Sequence, residues 1–319
     1  MTWTLLTAPE WRARRDEHVA AVDALLADHL ERRRRAEKHP VEDFLFEYYS
    51  YRPGQLRRWH PGPDVVLADA TPAEFPGYRE VDGGRTLDLD AFLARRGETL
   101  RWVRDLLAAT ASRPAQLGCF GLHEWAMVYR SDDVRHAKWP LRLGQEGTNA
   151  VVEERGVRCS HYDAFRFFTE PARPLNVVQP RRETQVQLEQ PGCLHATMDL
   201  YKWAYKLAPL TPSELVLDCF RLAKDVRELD MRASPYDFAA LGYAPVRIET
   251  PEGRAEYVAA QRGFAARGRD LRTRLIEVCT HAATGAPTGA PAGGCTPAGA
   301  PIAPARLLNS PARPPTRRT

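Results

Sequence analysis

Lysine is scarce in this 319-residue chain: Lys38, Lys138, Lys202, Lys206 and Lys224 are only five of its 45 basic residues. The rest are arginines, and beside abundant Ala and Pro that bias reads as GC-rich coding sequence, so arginine richness alone does not signal nucleic-acid binding. Long apolar runs are also missing. No window approaches the ~18 consecutive apolar residues of a membrane span, and the run Met1 to Arg12 holds no apolar stretch fit for a secretory signal. These absences predict a soluble, cytoplasmic protein whose cysteines stay reduced. Paired Cys-x-x-Cys knuckles are lacking, which argues against a structural zinc module. A regular βαβα alternation is lacking too, which argues against a doubly wound sheet.

Charge of one sign is nearly absent from the body. The formal net charge is +4, but residues 281–319 contain Arg306, Arg313, Arg317 and Arg318 and no acid, leaving 41 basic and 41 acidic side chains in residues 1–280. A neutral body binds a polyanion only where its cations gather on one face. Residues 281–319 are rich in Ala, Pro, Gly, Thr and Arg, a composition that cannot offset its own ordering entropy, and are expected to be a disordered tail. Residues 1–280 read as a single globular domain.

Within that domain the periodicity predicts an α+β fold that is mainly α-helical with two small β-hairpin elements. A long amphipathic helix is expected over 8–37, carrying Val19, Val22, Leu25, Leu26, His29 and Leu30 on a helical period. Arg32, Arg33, Arg34 and Arg35 near its end form either a solvated face that complements the helix dipole or a phosphate-contact patch. After His39-Pro40 a second helix begins at Val41, and its dense aromatic face must be buried or form a pocket wall. A strand at Val65–Leu67 and a hairpin turning at Asp82-Gly83-Gly84 come next. A helix then follows from Asp88 to about Thr110, with Gly97 as a candidate interruption. A second hairpin is expected over 150–161, then helices near 162–169, 195–207, 212–230 and 251–277.

What the chain does have is three Cys–His pairs within 80 residues: Cys119 with His123, Cys159 with His161, and Cys193 with His195. Thiolate and imidazole are good ligands for borderline-soft metals. On a helix Cys119 and His123 share a face; on a strand Cys159 and His161 do. Cys193 and His195 follow Pro191-Gly192 at an expected helix start, where free N–H groups would lower a thiol pKa. Six ligands exceed the four of a tetrahedral zinc site, so the pairs point to bound Zn or Fe, to buried structural groups, or to a metal-free site using some of the histidines. His161-Tyr162-Asp163 followed by His195 also mimics the His-x-Asp…His triad of non-haem iron oxygenases.

Around these pairs lie aromatics and carboxylates. Tyr201-Lys202-Trp203-Ala204-Tyr205-Lys206 interleaves rings with cations, as stacking a base while holding its phosphate requires, or as an amphipathic helix with tyrosines in the core would. Trp125 and Tyr129 repeat the i, i+4 aromatic spacing beside His123 and Glu124, so two such helices could form an aromatic slot. Glu124, Asp163 and Asp199 are candidate acids near that slot, and Asp230 is another.

The runs Arg32 to Phe46, Gly118 to Arg130, Arg158 to His161, Gln190 to Ala196 and Leu229 to Asp237 resemble an actinobacterial family carried under the name 3-methyladenine DNA glycosylase. The resemblance covers most of residues 10–277 and excludes the tail. It implies a metal-free hydrolase of N-glycosyl bonds in base-excision repair, with damaged double-stranded DNA as partner. Such an enzyme extrudes an alkylated, cationic purine, stacks it between aromatics and stabilises an oxocarbenium-like sugar with a carboxylate. Under that implication Trp125, Tyr129, Tyr201 and Trp203 stack the base, and Glu124, Asp163 or Asp199 is the acid, tuned by His123 or His161. Arg32, Arg33, Arg34, Arg35, Arg57, Arg58, Lys202 and Lys206 hold phosphates. Two other readings stand beside it. One is a metal-dependent enzyme that acts on a small aromatic or nucleoside substrate through the Cys/His cluster; the other is a non-catalytic interaction module.

Overall fold

The computed structural model describes residues 3–131 and 138–284. Strand β1 (Thr4–Leu6) leads into helix α1 (Ala8–Arg34), whose start is fixed by the Glu10 carboxylate accepting from Thr7 N at 2.8 Å and from its hydroxyl at 2.7 Å. Trp11, His18, Val22, Leu26 and His29 form its buried stripe. The aromatic segment beyond His39-Pro40 makes only two single-turn helices, α2 (Phe44–Glu47) and α3 (Pro53–Leu56). Asp43 caps α2, its carbonyl accepting from Glu47 N at 3.0 Å, while its side chain accepts from His39 N and faces His29 Nδ1 at 2.9 Å.

Strands β2 (Val65–Leu67), β3 (Tyr78–Val81) and β4 (Gly84–Leu87) complete a four-stranded sheet of order β1-β2-β4-β3. β1 pairs parallel with β2 (Leu5 opposite Val66), while β2–β4 and β3–β4 are antiparallel. The hairpin turns at Asp82-Gly83 as the sequence suggests. Gly84 is required there, because a Cβ would come within 2.2 Å of the Leu67 carbonyl oxygen.

Helix α4 (Leu89–Ala111) is capped by Asp88, which accepts from Ala91 N at 2.9 Å, and runs through Gly97 uninterrupted. The short α5 (Leu122–Ala126) precedes α6 (Gly144–Arg155). The second hairpin expected over 150–161 is therefore absent. Ala150-Val-Val is helical, with Thr148, Val151 and Val152 buried at i, i+3, i+4, and Gly156 (φ 63°) ends the helix. A short apolar run cannot tell strand from helix by its period. Beyond it, residues 157–161 are extended and make one isolated bridge, Val157 with Asn176.

Single turns α7 (Tyr162–Phe165) and α8 (Gln185–Leu188) lead to the long helices α9 (Leu194–Lys206), α10 (Ser213–Arg232) and α11 (Pro251–Thr284). α9 packs against α10 and α11, and α11 also covers α4. Every residue of α9 from Leu194 to Ala204 is buried. The expected tail begins later than residue 281, since α11 runs to Thr284, and its remainder, 285–319, lies outside the described residues. No described helix is long and apolar enough to cross a membrane.

His60 links the sheet to α10: its backbone N–H donates to Ser213 Oγ at 2.8 Å and its Nδ1 lies 3.3 Å from Tyr78 Oη. Burial, aided by the nearby charge of Arg58, lowers its pKa to about 4. The folded state resists protonation that the unfolded chain accepts near pH 6.5. Stability is therefore fully present above that pH and falls as pH drops towards 4, by up to about 3 kcal/mol from this group. Urea unfolding at pH 7 and pH 4.5 should show a smaller acid loss for His60→Gln than for wild type; equal losses would remove His60 from the account.

Candidate metal centre

Four segments far apart in sequence meet beside α9. The first is α5, entered through Gly121 in the left-handed region (φ 73°), which turns His123 and Glu124 into the interior. The second is the extended run 157–161, clamped by Asn176, whose side chain accepts from Cys159 N at 2.7 Å and donates to Cys159 O at 2.9 Å. The third is the start of α9. There Gly192 lets the backbone approach Gln116, where a Cβ would sit 2.5 Å from its carbonyl oxygen. The fourth is the last turn of α10, which presents Arg227 and Asp230 three residues apart.

Three imidazoles are contiguous at this junction. His123 meets His195 edge to face, with centroids 4.4 Å apart, and His195 stacks on His161 at 5.3 Å and 19°. Carboxylates surround them in two sets. In the first, donor atoms of His123, Glu124, His195 and Asp230 all lie within 4.8 Å of one another; in the second, those of His161, Glu189 and Asp199 do. All seven residues are at most 7% exposed. His123 Nε2 is 2.8 Å from Asp230 Oδ1, while His161 Nδ1 is 3.2 Å from Glu189 Oε1. The 2.8 Å contact is a direct hydrogen bond, whereas the 3.2 Å spacing matches two donors bound to one ion at ~2.1 Å each, which leaves them about 3–3.4 Å apart.

Two cations are built in. Lys202 Nζ donates to Asp163 Oδ2 at 2.7 Å and to Asp199 Oδ2 at 2.8 Å, and Tyr49 donates its hydroxyl to Asp199 Oδ1 at 2.8 Å. Arg227 Nη1 lies 3.4 Å from Glu124 Oε1 and 3.5 Å from Asp230 Oδ2, with its guanidinium 3.8 Å over the Phe44 ring. Five carboxyl groups thus outnumber these two buried cations, and Arg166 Nε adds a third cation 3.4 Å from Asp163 Oδ1. Buried charge is costly unless paired.

The titration behaviour follows from that imbalance. Burial alone would lower His123 and His161, yet Asp230 and Glu189 respectively pull both above the ordinary histidine range. His195 is driven well below it by burial and by the charge of His123. Burial would raise Asp163, Glu189 and Asp230, but Lys202, His161 and His123 respectively hold them low.

Above this floor opens a cavity of about 790 Å³, walled by Phe44, Tyr48, Trp139 and Phe167, with Glu124, Asp163, His195 and Arg227 at its base. The Val41–Tyr49 aromatics do form a pocket wall, as their density suggested.

The sequence-based candidates separate accordingly. The structure brings His123, Glu124, His161, His195 and Asp199 together, with Asp163 joined through Lys202. The cysteines are not co-ligands, because no described cysteine enters either donor set. Cys119 Sγ sits 3.5 Å from His123 Nδ1, and Cys159 Sγ donates to the His161 carbonyl oxygen at 3.6 Å from a non-strand segment. At Cys193 the expected lowering by the helix start is overruled: burial raises the thiol pKa more than the N–H groups of Ala196 and His195 lower it.

The expected stacking set does not form a slot. Trp125 is fully buried and donates to Ala233 O at 2.9 Å, and Tyr201 is buried edge-on to Tyr49. Trp203 packs on Trp102, and Tyr129 donates to Glu153 Oε1 at 2.7 Å. Helical i, i+4 aromatics here are core.

The expected phosphate ligands scatter. Arg32 pairs with Glu42 and Asp43, Arg34 and Arg35 both with Glu31, Arg57 with Asp23, and Arg33 is exposed. Lys202 is buried. Arg57, Arg58 and Lys206 share a separate hollow of about 760 Å³, beside the stacked rings of Tyr51 and Tyr205. Glu189, Arg227 and the cavity aromatic Trp139 carried no local signal in the sequence.

Comparison with protein-family models, curated proteins and solved structures found no match for this chain.

Removing Lys202 strands two carboxylates in the interior. Lys202→Met is expected to cost about 3–5 kcal/mol in urea unfolding, and adding Asp163→Asn should restore part of it. A cost below 1 kcal/mol would show that the ammonium is not needed there.

Proposed function

We propose that this protein is a metal-dependent enzyme acting on a small aromatic or nucleoside substrate. The observation that carries the reading is the convergence of His123, Glu124, His195 and Asp230 at the base of an aromatic cavity. Imidazole and carboxylate together suit Zn, Fe or Mn, and a ligand set of nitrogens and oxygens is the more natural cage here than the sulfurs. His195 Nδ1 is buried without a hydrogen-bond partner, as a ring nitrogen kept for another ligand would be. A divalent ion there would supply Lewis acidity or a water-derived nucleophile near pH 7. The rings of Phe44, Tyr48, Trp139 and Phe167 would hold a planar substrate above it, and Arg227 would orient Glu124 and Asp230. A reducing, cytoplasmic setting fits the free thiols of Cys119, Cys159, Cys193, Cys219 and Cys279.

The same cavity favours a second reading, excision of alkylated purines from damaged double-stranded DNA. An electron-poor cationic base would gain from aromatic walls and from the acids Glu124 and Asp163 at the floor. Here the acid, not an ion, would stabilise the sugar cation.

Metal analysis of the purified chain is expected to find at least one equivalent of Zn, Fe or Mn, with His195→Gln lowering the affinity by at least ~10-fold. Absence of metal, together with no thermal stabilisation by added Zn²⁺, Fe²⁺ or Mn²⁺, would refute the metal reading. Release of 3-methyladenine from alkylated duplex DNA by chelator-treated protein, lost in Glu124→Gln, would establish the second. Equal inactivity of wild type and Glu124→Gln in that assay would end it.

A further inference from the structure

We infer that His161, Glu189 and Asp199 form a second metal subsite, so that the centre holds two divalent ions side by side. The inference rests on the metal-dependent reading above and deepens it.

Three observations carry it. The first is donor number: the two sets supply three imidazoles and four carboxylates, seven residues in all. A single ion of the Zn, Fe or Mn class takes about four to six ligands, and keeps one position open for catalysis. The second is His161 itself, which is 1% exposed with neither ring nitrogen in hydrogen-bond geometry. Glu189 Oε1 at 3.2 Å and Asp199 Oδ2 at 3.6 Å flank the ring without accepting from it, so an otherwise costly buried imidazole is aimed at acids.

The third is adjacency. His195 belongs to the first set, and its ring stacks on His161 of the second with centroids 5.3 Å apart.

The second subsite also has supporting partners of the kind metal ligands have. Gln185 Nε2 donates to Glu189 Oε1 at 2.6 Å, and Lys202 and Tyr49 each donate to one oxygen of Asp199.

The test uses the full chain, stripped with chelator, reconstituted with Mn²⁺ and desalted. Two equivalents of manganese are expected. Glu189→Gln should hold one equivalent. Should that variant not fold by circular dichroism, His161→Gln makes the same measurement. One equivalent in wild type would overturn the two-ion centre and leave the metal-dependent reading intact. Zero equivalents would overturn both. Two equivalents in wild type, retained in whichever variant folds, would overturn the assignment of the subsite.

Discussion

Five carboxylates, three imidazoles, an ammonium and a guanidinium are enclosed around one helix, and the fold must neutralise them. Each buried ion costs several kcal/mol unless it is paired. α9 is buried along almost its whole length, so His195, Asp199 and Lys202, spaced i, i+4, i+7 on one face, cannot turn to solvent. Lys202 answers Asp163 and Asp199; Arg227 answers Glu124 and Asp230. No single segment could bury its polar groups alone, which is why four distant ones converge.

Much of the scaffold was legible because its signals are local. The start of α4 at Asp88, the Asp82-Gly83 turn and the periods of α4, α9, α10 and α11 depend on residues within a few positions. The failures are tertiary. Ala150-Val-Val has β-branched residues and a following glycine, and only the face it buries decides that it is helix. The aromatic run after Val41 has helical composition, yet it makes only single turns, α2 and α3.

The site was half legible for the same reason. Cys–His proximity marked the region, since the histidines lie where the chain enters the core. It could not name the histidines' partners: Asp230 is 107 positions from His123, and Glu189 is 28 from His161. Aromatic spacing misled more, because i, i+4 rings such as Trp125 and Tyr129 are as natural in a core as in a binding slot. The cavity's rings come instead from α2, its flank and two loop segments, Trp139 and Phe167, with no common period.

The cysteines have a place in this account that is not ligation. A histidine that turns one nitrogen to carboxylates needs its surroundings filled by groups that add no charge. Cys119 packs beside His123 with its Sγ 3.5 Å from Nδ1, leaving Nε2 to Asp230. Burial holds Cys159 and Cys193 well above the ordinary thiol range, so they remain neutral. As thiolates they would add two negative charges to an interior already crowded with carboxylates. The sulfurs that most suggested metal ligation thus fill the space beside the histidines, and the buried pair Cys159 and Cys193 does so without adding charge.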